Sequence, residues 1–338
     1  MTFHASFSGD LRRPIRVVAP GRVHITLLDM GRCTARACGG VGFAIAANRT
    51  EWQFSAAKST SLDGIDVLDK AAQIEISQLI SAIMIERKLP CTAIKLIRAP
   101  RQHFGFGAKT ALLTSLLYGL FEHHMCAPSL DEVRALSGRG GTSGIGLHAM
   151  FLGGIIWDGG HLQSAYPEFA PSSARAPCSP PILCSRWPFP EELEVLLFNG
   201  DGSRVSGKDE LRLFSNSCPV PQDEVARTFF AVFHGVIPSF LSSDLPGLRA
   251  SLAEVHGCGF KARELHAQAP KVKLTYRRLT EIVGVAPGLS SVGPLVYAVL
   301  RKDDRNTLAA LQDCARRNEL PAFEIAQADN VGIVTEAL

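Results

Sequence analysis

Two glycine-rich runs hold most of the residues in this chain that have chemistry to offer. The first is Gly138-Arg139-Gly140-Gly141-Thr142-Ser143-Gly144-Ile145-Gly146, followed downstream by Asp158-Gly159-Gly160-His161. Five glycines, one guanidinium and two hydroxyls in nine residues make a poor core element but a good anion cradle. Glycine lets backbone N–H groups approach a ligand closely, and arginine presents a planar donor fork matched to phosphate oxygens. Thr142 and Ser143 can cap a following helix, whose N-terminus also favours an anion. A flexible surface loop has the same composition. The apolar stretch behind it, Ile145 to Phe151, favours a loop that launches a helix. The second run, His103-Phe104-Gly105-Phe106-Gly107-Ala108-Lys109-Thr110, sits between a strand-like stretch, Thr92 to Ile97, and a helical one, Ala111 to Phe121. That order is what a phosphate-binding helix terminus requires. The spacing of an ordinary nucleotide P-loop is absent, because Ala108 precedes the lysine. A phosphate-holding turn is expected here in preference to a simple helix cap.

The elements that must position these runs are legible from periodicity. Apolar or alternating stretches predict strands at Ile15 to Val18, Val23 to Leu28, Phe43 to Ala46, Leu193 to Phe198, Leu295 to Leu300 and Phe323 to Ala326. Three- and four-residue spacing predicts helices between Gly64 and Pro90, at Asp131 to Leu136, Glu224 to Phe240, Leu248 to Val255 and about Asn306 to Arg317. Pro238 should end or kink the third of these. Mixed strands and helices, with no internal repeat, predict an α+β or mixed α/β chain in two lobes. The division expected is a 1–14 extension, a 15–165 lobe holding both glycine runs, a proline-rich 166–190 crossing, and a 191–338 lobe.

Composition narrows the class. Of 338 residues 46% are hydrophobic and 20% charged, as in a soluble globular enzyme. A net charge of +3 is too small to argue for nucleic acid. No apolar run approaches the roughly 18 residues of a membrane span. The nine cysteines contain no Cys-x-x-Cys pair, which argues against a structural zinc site and fits reduced thiols in the cytoplasm.

Both runs, with Ala19-Pro20-Gly21-Arg22-Val23-His24, Gly39-Gly40-Val41-Gly42 and Asp158–His161, fall in the order found in the GHMP small-molecule kinase superfamily. Within it the chain resembles the β-ribofuranosylaminobenzene 5′-phosphate synthase branch. The same resemblance covers Arg175, Cys218-Pro219-Val220-Pro221, Gly288-Leu289-Ser290-Ser291-Val292-Gly293-Pro294 and Asp329-Asn330-Val331-Gly332, so it spans roughly residues 15 to 334. It implies a two-lobed GHMP kinase-like fold, a homodimer, and a reaction that is not phosphorylation. In that branch phosphoribosyl pyrophosphate (PRPP) gives its ribosyl unit to a ring carbon of an aromatic acid, and CO2 and pyrophosphate depart.

Carried onto this sequence, the resemblance assigns the donor to Gly105, Gly107, Ala108, Lys109, Thr110, Arg139, Gly140, Gly141, Thr142, Ser143 and Gly144. Arg22, His103, Ser290 and Ser291 would bind substrate, and His24, Asp29, Asp158 and His161 would form the reacting set. His24 could equally be a satisfied core histidine, and Ser290 and Ser291 could simply cap a turn. Mg2+ is expected with the pyrophosphate, with Asp158 and Asp29 as its candidate ligands. Two departures stand out. The branch's second loop reads Gly-Leu-Gly-Ser-Gly-Thr-Gln where this chain has Gly105 to Ala111, and Asp29-Met30 runs into Gly31 without the usual Asn-Gly. An added cation at Lys109 suggests an acceptor with two carboxylates, such as a pyrazole dicarboxylic acid of C-nucleoside antibiotic pathways. The alternatives are 4-aminobenzoate in methanopterin biosynthesis, an ATP-dependent small-molecule kinase, and a non-catalytic phosphosugar sensor.

Overall fold

A computed structural model describes residues 12–102, 104–166, 168–172, 174, 179–199 and 207–338. His103 and Arg175, named above, lie outside the described residues. The first lobe is built on β1 (Ile15–Asp29) and β2 (Arg36–Ala56), paired antiparallel along their whole length. Both are longer than periodicity predicts. Pro20-Gly21 does not break β1; the pairing register shifts there and again between His24 and Thr26, so the strand bends and continues. Then come β3 (Ser61–Asp63), α1 (Lys70–Glu86) and β4 (Thr92–Arg98), followed by α2 (Ala108–His123), α3 (Leu130–Ser137) and α4 (Ile145–Leu152). β5 (Ile155–Asp158) and β6 (His161–Leu162) pair with β2, and β7 (Leu183–Trp187) pairs with β5. The proline-rich crossing therefore contributes a strand to the first sheet.

The second lobe opens with β8 (Leu193–Asn199) and a helical run: α5 (Lys208–Ser217), α6 (Gln222–Ala231), α7 (Ile237–Leu241), α8 (Leu245–His256), α9 (Gly259–His266) and α10 (Pro270–Glu281). A π turn over Val232–Val236 joins α6 to α7, so Pro238 begins a new stretch of helix rather than stopping one. Next are β9 (Val285–Leu289), β10 (Leu295–Arg301), α11 (Arg305–Arg316), β11 (Phe323–Ala326) and β12 (Val334–Ala337). The second sheet runs β11-β8-β10-β9, all antiparallel. β12 leaves this lobe and pairs with β1, so the sequence-based assignment of 191–338 to one lobe fails at its C-terminal end. The lobes share one core: Val23, Phe43 and Ile155 pack with Val195, Phe240 and Tyr297.

Candidate active site

The geometry starts at β1. Arg22 is half-buried and its Nη1 donates to the Gly105 carbonyl at 2.5 Å, while its Nε has no partner. Burial, opposed by nearby Glu264 and helped by Arg139, pulls its guanidinium down to about 10. Ser290 ties the same strand to the same loop: its hydroxyl donates to Gly105 O at 2.8 Å and accepts from His24 N at 3.0 Å. Ser291, at φ 55°, donates its N–H to His24 O. The turn between β9 and β10 thus holds the glycine run against β1.

Glycine is required in that run. A Cβ on Gly105 (φ +94°) would lie 2.7 Å from Ser290 O, and one on Gly107 (φ +72°) would lie 2.8 Å from Arg22 Nε. Gly107 is the residue before α2, and no side chain caps that helix. The first-turn N–H groups of Ala108, Lys109 and Thr110 are left for a ligand, the arrangement that suits phosphate. Arg139 bridges the two glycine runs, with Nε donating to Thr110 Oγ1 at 3.2 Å and Nη1 to Ser172 O at 3.2 Å.

Both runs face one cavity of about 580 Å3. Arg22, His24, Gly105, Gly107, Ala108, Lys109, Thr110, Arg139, Gly140, Thr142, Ser143 and Ser291 all line it. Burial, reinforced by the charges of Arg22 and Lys261, holds the His24 imidazole well below its ordinary range, so the ring is neutral and its Nδ1 has no partner. Neutral, buried and facing the cavity, His24 is a hydrogen-bonding group rather than a proton store.

Six residues assigned from the sequence do not reach the cavity. Asp29 does not reach the cavity: its carboxylate accepts from the N–H of Gly31, Cys33 and Thr34 and from the Thr34 hydroxyl, organising the β1–β2 connection. Asp158 is fully buried and accepts from Gly144 N at 2.6 Å and Gly160 N at 2.9 Å. Burial pushes its carboxyl up to about 6 against those hydrogen bonds. Neither aspartate lines the cavity where the pyrophosphate and its Mg2+ would sit, Asp29 being spent on the β1–β2 connection and Asp158 buried behind the glycine run. His161 is buried, stacked on Tyr166 at 5.4 Å, with Nδ1 on Ser179, and does not line the cavity. Gly141, Gly144 and Ser290 do not line the cavity; the Gly144 N–H is taken by Asp158, and Thr142 N is taken by Ser172 Oγ. The Gly138–Gly146 run is therefore held in shape by the Asp158 carboxylate and the Ser172 hydroxyl, and the Gly105–Thr110 run offers the open helix terminus. Periodicity missed Glu264, Phe214 and Asp69, which also line the cavity. Their signals were a charged pair inside an unremarkable helix, one aromatic, and a helix cap.

No family model matches the chain. The fold is that of small-molecule kinases. Homoserine kinase from Cytophaga hutchinsonii superposes with a TM-score of 0.65 at 14% identity, covering 98% of this chain and 99% of that one. Phosphomevalonate kinase from Streptococcus pneumoniae gives 0.67 at 10% identity, covering 94% and 100%. At such identities the likeness concerns architecture alone. Sequence relatives are more specific: the β-ribofuranosylphenol 5′-phosphate synthase of Methanothermobacter thermautotrophicus is 30% identical over 306 residues, 87% of this chain and 91% of its own. The Archaeoglobus fulgidus protein of the same name is 28% identical over 88% of this chain and 92% of its own. The chain belongs to the β-ribofuranosylphenol 5′-phosphate synthase family, and it is an enzyme of the pentosyl-transferase class. Among the described residues no helix is long and apolar enough to cross a membrane.

Proposed function

We propose that the chain joins the ribosyl 5′-phosphate of PRPP to a ring carbon of a benzoic acid carrying a para hydroxyl or amine, releasing CO2 and pyrophosphate. The observation that carries this reading is the convergence of Arg22, Lys109, Arg139 and the uncapped start of α2 on one cavity in a chain related to these synthases. Pyrophosphate leaves as ribose C1 becomes cationic, and preorganised donors aimed at the leaving oxygens lower that barrier. The N–H groups of Ala108 to Thr110 and the Arg139 fork are placed for that task, and the neutral His24 can hold the acceptor or the ribose.

A pyrazole dicarboxylic acceptor, expected from the added cation, loses its support here. Lys109 Nζ lies 2.9 Å from the Glu75 carboxylate, so that charge is already countered at the cavity rim. The relatives' names speak of a phenol product, which favours a benzoic acid acceptor. Mg2+ would arrive as a companion of the pyrophosphate; among the described residues no cluster of three or more His, Cys, Asp or Glu could hold a metal on its own. A homodimer also stays a proposal, to be weighed by sedimentation.

The test is mass spectrometry of products after incubation with PRPP, Mg2+ and 4-hydroxybenzoate, 4-aminobenzoate or a pyrazole dicarboxylic acid. A decarboxylated C-riboside phosphate from either benzoate supports the reading. Product from the pyrazole acid alone would restore that acceptor. Thermal stabilisation by ATP and not by PRPP would point to a kinase, and PRPP binding with no product from any acid to a sensor.

A further inference from the structure

The turn that clamps Gly105 to β1 is itself gripped from behind. β9 is the outer strand of its sheet, and among the described residues no strand pairs with its free edge. Buried backbone groups on such an edge need other partners. At Leu289, where β9 ends, two side chains supply them. Lys261 Nζ donates to Leu289 O at 3.1 Å, and Leu289 N donates to His256 Nε2 at 2.9 Å. His256 Nδ1 donates in turn to Leu252 O at 2.7 Å, which fixes the tautomer. Burial, reinforced by the charge of Lys261, pulls that imidazole down to about 3, so the ring stays neutral and keeps accepting. Beyond the serines, Gln268 Nε2 donates to Val292 O at 3.0 Å. The backbone on both sides of Ser290 and Ser291 is thus held by side chains from α8, α9 and the residue just before α10.

Satisfying a carbonyl does not require an ammonium. Lys261 is 0% exposed, and its charge is matched by Glu264, 1% exposed, at 2.6 Å. Burying two charges carries a desolvation cost, and apolar replacement of such a pair is often neutral or stabilising. Gln268 does the same task on Val292 with no charge at all. What the ammonium adds is a charge-assisted bond, stronger than a neutral one, that holds the Leu289 carbonyl in one place. Lys261 does not line the cavity, so its influence must travel through the turn. The next residue is Ser290, whose hydroxyl bonds both Gly105 O and His24 N. Gly105 opens the short run to Gly107, the residue before α2. The contacts therefore lead from a sealed ion pair to the open helix terminus.

We propose that Lys261 is a positioning residue for the donor: by pinning Leu289 it sets the turn that clamps Gly105 to β1, and with it the aim of the α2 N–H groups at pyrophosphate. This rests on the C-ribosyl transfer proposed above. Lys261 touches no substrate and moves no proton. Donors that stabilise a departing anion act best when they are fixed before the reaction begins. Loosening the turn should therefore weaken the hold on pyrophosphate and spare the acceptor acid. Glu264 also acts on the Arg22 guanidinium by charge, a second route to the cavity that must be separated from the first.

The experiment titrates pyrophosphate, with Mg2+ present, into wild type and variants and reads binding by calorimetry. Lys261→Met/Glu264→Met leaves no unpaired charge, so its urea midpoint should hold or rise. Its pyrophosphate Kd should nevertheless rise about tenfold, with KM for PRPP following and KM for the acid unmoved. Glu264→Gln keeps the Lys261 bond to Leu289 and removes only the charge beside Arg22, so its Kd should stay close to wild type. Adding Ser290→Ala to the methionine pair should cost little more than the pair alone, because both changes act along one path. An unchanged Kd in the methionine pair overturns the assignment, as does full additivity with Ser290→Ala. A complete loss in Glu264→Gln alone also overturns it and assigns the effect to Arg22. If the methionine pair does not fold, Lys261→Gln/Glu264→Gln takes its place, and a Kd equal to that of Glu264→Gln rules Lys261 out. Wild-type protein that binds no pyrophosphate removes the seat and this role together. Absence of product from every acid would instead end the parent reaction, and the pyrophosphate titrations would still decide what Lys261 does.

Discussion

Arg139 and Asp158 show how differently two residues of one motif can serve a site. Arg139 ties Thr110 to Ser172 and faces the cavity, so its removal strips a charged donor from the leaving group and loosens both runs. Arg139→Ala should weaken PRPP binding by about ten- to a hundredfold, read by calorimetry. Lys109→Ala should cost less, because that ammonium is half exposed and shared with Glu75. Equal losses would mean that Lys109 abandons Glu75 for the ligand. Asp158 contributes through the backbone it holds, and its pH signature follows. Its carboxyl is raised to about 6 in the fold from a reference of 3.8, so the folded state keeps a proton that the unfolded chain has released between those values. Stability from this group is complete below the lower value and lost as pH rises through the upper one. The unfolding free energy of the wild type minus that of Asp158→Asn, from urea titrations, should therefore fall by about 1–3 kcal/mol between pH 4 and pH 6.5 and then level off. A difference that rises with pH would show an ionised, charge-stabilised Asp158 instead.

At the scale of elements, the start of α2 is the most constrained feature, and much of it was legible in advance. Strand, glycine turn and helix were in the order a phosphate site needs, and the cavity forms there. What sequence could not show was that the richer glycine motif spends its donors internally, on Asp158 and Ser172. The two motifs look alike because glycine serves close packing as readily as it serves a ligand. α9 was invisible for another reason: Gly-Phe-Lys-Ala-Arg-Glu-Leu-His has no apolar stripe, yet its Lys261 and Glu264 are both buried. Pairing across a helical turn conceals charge that composition assigns to the surface. Gly107→Ala tests the α2 geometry, since positive φ and the Arg22 contact both resist a side chain. It should cost about 1–3 kcal/mol of stability and raise the PRPP Kd, with Arg22 displaced; a variant that binds PRPP normally would show that the turn is not the donor's seat.

At the scale of the molecule, the site lies where the lobes are welded together. Residues from β1, α2, the run before α4, α5, α9 and the β9–β10 turn all reach the cavity, so its geometry depends on the lobes moving as one. Phe43 sits at that weld, with ring centroids 5.0 Å from Phe189, 5.8 Å from Phe240 and 5.9 Å from Tyr297. β12 adds a second tie by returning to β1. Two independent domains joined by a proline-rich linker would melt separately, and damage to one core would spare the other. A shared core predicts the reverse. Phe43→Ala should cost about 3–5 kcal/mol, lower a single calorimetric transition whose van't Hoff and calorimetric enthalpies agree, and reduce hydrogen-exchange protection in β4 and β10 together. Protection lost in β4 alone, or a transition that splits in two, would return the chain to the two-domain picture and make the cavity a cleft that opens and closes.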